Sequence, residues 1–394
     1  MTGPVKFLLI AVACVTLFLG YSYHAGLWTL TEAGLSAASR TTPYWDFNNL
    51  WSGSKMVLAG DAHLLFDAEG YRARLREMAG ADLPDHEWSY PPNILLIGAM
   101  LAQLPQLPAY LIWTFGTITA WFASVRLLKL PPLMTAAIVV SPAIIWNALY
   151  GQNGALTAAL LLGGLALSDK RPWFAGVLFG LLTIKPHLGL LIPFILMAQG
   201  NWRAIIGAAV TVIAMVLLTG ALFGFDLWLG FLTQTRPLMT SIMHAPWGEG
   251  YHANSATGFA FMRSLGAGIG AAYAAQAAVS LSCLIIAVAL WRKAAQYDRT
   301  ILIALTLCLV FLAAPYGYTY EMAGVSLACA VLFLRRPSLT YALPLALLWL
   351  WPLINHFSVQ AVDVALTTPL VILLCVALTA ELRRPKPASS PAPA

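Results

Sequence analysis

The sequence predicts an all-α polytopic membrane protein, and three observations carry that reading. Hydrophobic residues make up 60% of the 394 and charged residues only 10%, against roughly half and a quarter in soluble domains. Mean hydropathy is +0.76. Apolar runs approaching the ~20 residues that cross a ~30 Å hydrocarbon core recur along nearly the whole chain, which excludes one anchored soluble domain. The net charge of +6 lies in short clusters between these runs. Membrane topology accounts for such clusters, and without a continuous basic stripe no nucleic-acid partner is expected.

The positive-inside rule threads the chain. It places Lys6, Arg126 with Lys129, Lys170 with Arg171, Arg203, Arg292 with Lys293 and Arg299, Arg335 with Arg336, and the Arg383-Arg384-Pro385-Lys386 tail in the cytoplasm. The runs between them then alternate as about twelve spans: residues 5–23, 110–125, 133–146, 155–167, 172–184, 188–197, 204–222, 272–290, 301–313, 322–334, 341–353 and 364–382. Residues 5–23 resemble a signal peptide in carrying Lys6, but no small-residue cleavage site follows, so the segment is read as a retained first span. Residues 92–104 are apolar but short and bounded by prolines, as a re-entrant or broken segment would be. Residues 172–184 and 188–197 are also short, and Lys185-Pro186-His187 between them marks a helix break beside a membrane-embedded cavity.

Residues 1–384 thus read as one integral membrane unit with two large loops on the non-cytoplasmic side, 24–91 and 224–264. In the first loop, 47–60 and 71–78 mix apolar and charged residues at helical spacing, as interfacial helices do. The Pro- and Ser-rich end, 385–394, reads as a disordered cytoplasmic tail. Cys14, Cys283, Cys308, Cys329 and Cys375 all fall in apolar stretches and read as small buried hydrophobes. No internal repeat is visible, which weighs against a transporter built of two halves.

The candidate chemistry lies in the loops and helix breaks. Asp46, in Tyr44-Trp45-Asp46-Phe47-Asn48-Asn49, is either a first-turn acid held by a helix dipole or a general base; both readings stay open. Pro91 and Pro92 stiffen the backbone and fix where Tyr90 points. Gln152 and Asn153 place two amides between apolar spans, as helix caps or as ligand contacts. Lys185 calls for an anion opposite it, from a lipid headgroup or from a phosphate-bearing ligand. In the second loop Arg236, His244, His252, Asn254, Ser255 and Arg263 gather donors, and Asn254 is placed to cap the helix that follows. The spacing of His244 and His252 fits no zinc site, so no metal is expected. Tyr316, Tyr318 and Tyr320 read as an interfacial aromatic belt, whereas Glu321 beside them is harder to explain that way. Nucleotide-binding and nucleophile-elbow motifs are missing.

Taken in order, Trp45-Asp46-Phe47, Gly60-Asp61, Phe66-Asp67, Tyr90-Pro91-Pro92, Gly151-Gln152-Asn153, Ala175-Gly176 with Gly180 and Lys185-Pro186, Asn254-Ser255 with Gly258 and Arg263, and Pro315 with Tyr320-Glu321 resemble glycosyltransferase family 87. That family includes mycobacterial α-1,2-mannosyltransferases. The resemblance implies a GT-C-type helical bundle with interfacial helices in its first outer loop. It also implies a polyprenyl-phosphate-linked sugar donor, a glycan or glycolipid acceptor, contact with membrane lipids and no cofactor. Asp46 falls on the catalytic base of an inverting transfer. Lys185, His187 and Arg236 would offset phosphate charge, with Gln152, Asn153, Tyr90 and Asn254 positioning donor oxygens. Asn49, His252, Tyr320 and Glu321 are left for the acceptor or for supporting contacts; family members tend to carry a histidine or aspartate near the position of Glu321. The implied setting is a bacterial inner membrane, with the site facing the periplasm. The competing expectation from span count alone is a secondary transporter or a polyprenyl-phosphate lipid flippase.

Overall fold

Helices account for the regular structure of the described residues, 3–80, 83–248, 252 and 254–384, in the computed structural model; the tail expected at 385–394 lies outside them. The first span is α1 (Gly3–Leu27), and the first loop folds into α2 (Trp45–Leu58) and α3 (Ala68–Ala79). There follow α4 (Leu95–Leu101), α5 (Gln106–Arg126), α6 (Pro132–Val139), α7 (Pro142–Tyr150), α8 (Gly154–Leu167), α9 (Pro172–Leu181) and α10 (Ile192–Ala198). The second half comprises α11 (Trp202–Phe223), α12 (Asp226–His244), α13 (Gly258–Ser264), α14 (Ile269–Trp291), α15 (Arg299–Ala313), α16 (Ala323–Arg335), α17 (Leu339–Val362) and α18 (Thr367–Leu382). A helix stands at each of the expected spans.

The helices divide by length, and that division positions the site. Five segments are long and apolar enough to cross a bilayer: α1, α6 with α7, α11, α14 and α17. Their outer faces carry apolar side chains that only lipid can cover, such as Ile206, Val210, Ile213 and Leu217 along one side of α11. At the centre, α8, α15 and α16 have 14, 15 and 13 residues and are almost wholly buried. At 1.5 Å per residue they reach only about 20 Å, some 10 Å less than the hydrocarbon thickness. A long outer ring around a short core leaves a recess at one end of the bundle.

The other end gathers the basic clusters. Arg299 donates to the Leu165 carbonyl and the Ser168 hydroxyl, Asn201 to the Ser168 carbonyl, and Arg335 and Arg336 pair with Asp298 and Glu381. The Asn201–Ser168 bond shows that α9 and α10 leave and return on this same side, with Lys185 at the turn between them. Within residues 92–104 the helical part, a 3-10 turn at Pro92–Ile94 running into α4, is too short to span a ~30 Å hydrocarbon core. The α4 segment packs on α2, where Lys55 and Trp51 donate to the carbonyls of Ala102 and Leu104.

The return of α9 is fixed by close packing on α11. A Cβ on Gly176 would stand 2.4 Å from the Ala204 carbonyl oxygen, too near for any side chain. Gly176→Leu is therefore expected to force these helices apart at a cost of about 1–3 kcal/mol, read as a lower melting temperature in detergent. An unchanged melting temperature would show that the contact is slack.

Candidate active site

Five chain segments converge on a cavity of about 270 Å³ in the recess: the start of α2, residues 86–91, the α7–α8 break, the α9–α10 break and the loop before α16. The side of α12 formed by Phe231, Thr235, Met239 and Ile242 closes it with a mostly apolar wall.

Asp46 sits in the first turn of α2, where helix dipole and free N–H groups favour a carboxylate. Burial wins over them: desolvation pushes its carboxyl up from 3.8 to about 6, against a hydrogen bond from the Gln152 side chain and the attraction of Lys185. His86 stacks on the Trp45 ring at 4.5 Å and brings Nε2 to 3.9 Å from Asp46 Oδ1. Burial lowers this imidazole to about 3, so the pair is a neutral histidine beside a carboxyl and not a salt bridge.

Gln152 reaches Asp46 because α7 ends in a left-handed residue, Gly151 (φ +67°), where a Cβ would collide with that of Phe47 at 2.4 Å. Lys185 is held out of helix by the proline after it, with φ −136° and ψ 78°. Its ammonium lies 2.6 Å from Glu321 Oε1 and 5.0 Å above the Tyr320 ring. Glu321 Oε2 in turn accepts from the Tyr318 backbone N–H at 3.1 Å. The anion facing Lys185 is thus a carboxylate of the chain itself, 136 residues away. His187 packs edge-on against Tyr316, and burial lowers its imidazole to about 4, so it is a neutral ring and not the phosphate-facing charge expected from sequence. Tyr318 and Tyr320, pushed above their usual range by burial, line the cavity instead of standing in an outward belt.

Of the residues singled out from sequence, Asp46, Asn49, Tyr90, Gln152, Lys185, His187, Tyr320 and Glu321 line this cavity together. Four do not. Arg236 is exposed on α12, with its charge felt at Tyr316. Asn153 is buried at the start of α8 without a side-chain cap bond. Asn254 does not cap α13: Thr257 does, its hydroxyl accepting from the Ala260 N–H. His252 lies in a smaller neighbouring pocket, stacked on Trp247. Sequence reasoning missed His86 and Glu87, although both sit in the polar run immediately before Tyr90.

Chemically, the cavity sets a carboxyl that is half ionised near pH 6 beside an ammonium, between tyrosine hydroxyls and an apolar wall. The family profile described as glycosyltransferase family 87 matches residues 88–315, more than half of the chain. That stretch contains Tyr90, Gln152, Lys185, His187 and α12, while Asp46 and Glu321 fall outside it. No curated protein and no solved structure matches the chain.

Proposed function

Because the chain belongs to glycosyltransferase family 87 and is a membrane glycosyltransferase, we propose that it moves a hexosyl group, mannosyl in the first instance, from a polyprenyl-phosphate donor to a glycan or glycolipid hydroxyl. The observation that carries the proposal is the meeting of Asp46 and Lys185 in one recessed cavity with an apolar wall. A prenyl chain running in the bilayer brings its phosphate to such a depth without leaving lipid, and Phe231, Met239 and Ile242 offer it apolar contact.

Asp46 takes the proton of the acceptor hydroxyl, whose oxygen bonds to the anomeric carbon as the bond from that carbon to the phosphate oxygen breaks. The bonding electrons leave with the phosphate, so the departing side needs positive charge more than an acid; Lys185 supplies the charge, and His187, lowered to about 4 by burial and therefore neutral, can add only a hydrogen bond. Gln152 holds the Asp46 carboxyl, and Tyr90 with Tyr320 contacts sugar or phosphate oxygens. One direct displacement inverts the anomeric centre. Residues 1–384 act as one unit, in a bacterial inner membrane, with the cavity toward the periplasm and the basic clusters toward the cytoplasm.

The test is transfer of radiolabelled mannose from polyprenyl phosphate by purified protein in lipid, with other sugar donors in parallel. Turnover by wild type that Asp46→Asn abolishes supports the proposal. Absence of transfer with every donor, together with substrate-driven uptake into proteoliposomes, would replace it with transport.

A further inference from the structure

A second space adjoins the cavity. Its volume is about 670 Å³, and it lies between α12 and the link from α2 to α3, with residues 87–88 at its edge. Its α12 side mixes Gln234 and Ser241 with Pro237 and Leu238, and His63, Asp67 and Glu87 stand in the opposite wall beside apolar residues such as Phe66 and Trp88. The two spaces share Glu87 and Thr235.

The helical phase of α12 explains how one element serves both. Positions 231, 235, 239 and 242 form a mainly apolar stripe on the cavity, and positions 230, 234, 237, 238 and 241 a mixed stripe beside it, with Gln234 and Ser241 as its polar members. A third face, with Leu229 and Leu232, is open to the surroundings. α12 is therefore a partition that turns a mainly apolar wall to the cavity and a mixed face carrying Gln234 and Ser241 to the groove. Close to their shared edge, Asn49 donates to the Glu87 carbonyl at 3.0 Å, one helical turn along α2 from Asp46. Trp88 Nε1 and Thr235 Oγ1 are buried polar atoms with no hydrogen-bond partner among the described residues, and both residues line the groove.

We propose that this groove is the acceptor site and that it takes uncharged, polyhydroxylated sugar while turning away anionic acceptors. The proposal rests on the transferase reading above. Amide, hydroxyl, imidazole and carboxylate groups are the partners that sugar hydroxyls use, and among the described residues no lysine or arginine lines the groove. Arg72, which pairs with Glu87, is outside the lining, and the Asp67 carboxylate accepts from the Gly70 N–H. An acceptor carrying carboxylate or phosphate would therefore meet two acidic side chains with no lining cation to offset them. A hydroxyl entering past Glu87 and Thr235 arrives on the Asp46 side, while the donor lipid occupies the apolar side.

The test places a thiol in the groove. Ser241→Cys is introduced in a Cys14→Ala background, where the other four cysteines are buried, and maleimide labelling is timed in nanodiscs. The probes are neutral trisaccharides of mannose, glucose and galactose, and trigalacturonate. At least one neutral sugar is expected to slow labelling about threefold or more, and trigalacturonate to leave the rate unchanged, because like charges repel it. Adding Gln234→Lys is expected to let trigalacturonate protect. Protection by no neutral sugar, or equal protection by the acid without Gln234→Lys, overturns the proposal. Release of labelled sugar from polyprenyl phosphate is followed in the same preparations: its absence alone sinks the donor reading, and its presence with the wrong protection pattern sinks only the groove.

Discussion

The kcat/KM of wild-type transfer is expected to fall about tenfold for each pH unit below pH 6 and to level off above it, because Asp46 must be ionised to accept a proton. The limb near 6 belongs to Asp46, because His187, the other cavity group displaced into the acid range, is lowered by burial to about 4. His86, held near 3 by burial, stays neutral throughout, and Tyr318 and Tyr320, raised above their usual range, keep their protons. A limb near pH 4 would mean that Asp46 is not the base or that the cavity is wetter than its walls imply.

Stability should move the other way. A carboxyl whose folded-state value lies above its unfolded value favours folding while protonated. That contribution is complete below pH 3.8 and is lost as pH rises through about 6. At pH 8 the ionised Asp46 therefore costs the folded state up to about 3 kcal/mol. Asp46→Asn removes the charge and preserves the shape. It is expected to cut transfer by about 10²–10⁴-fold yet to raise the melting temperature at pH 8, with the difference vanishing near pH 4. A melting temperature lowered at both values would mean that Asp46 is a structural acid, as first-turn acids often are.

The spans were legible because an apolar run declares itself without any partner, and the basic clusters between runs declare their common side. Lys185 was legible for the converse reason: a cation flanked by apolar residues calls for an anion opposite it, whether lipid headgroup or ligand. Its partner was not. Glu321 is 136 residues away, and a sequence carries no distance between two breaks in different helices. Arg236 shows a second limit. Its charge was plain, but α12 was read as loop, and without a helical phase nothing separates position 235, which faces the cavity, from 236, which does not. Asn254 was the residue type expected of a cap, yet Thr257 stands where the first turn of α13 needs one. The short central helices were visible as short runs; that they hollow out a recess depends on the longer ring around them.

Lys185→Met is expected to reduce transfer by about 10²–10³-fold, comparable to removing one donor from an oxyanion site, and its interpretation turns on Glu321. The two charges are mostly buried, so deleting one leaves the other uncompensated at a cost of about 3–5 kcal/mol, whereas deleting both is close to neutral. Lys185→Met alone is thus expected to melt early, and the double variant Lys185→Met/Glu321→Gln to recover most of the lost stability. Activity should not recover with it, because the departing phosphate still lacks its cation. Glu321→Gln alone leaves Lys185 free of its internal anion. Polyprenyl phosphate should then bind more tightly and leave more slowly, seen as stronger product inhibition. Lys185→Met should also displace the acid limb of the pH profile upward, since the Lys185 charge helps hold Asp46 ionised. If the double variant regained both stability and transfer, the pair would be a strut between the α9–α10 turn and the loop before α16, and the leaving phosphate would have to find its positive charge elsewhere.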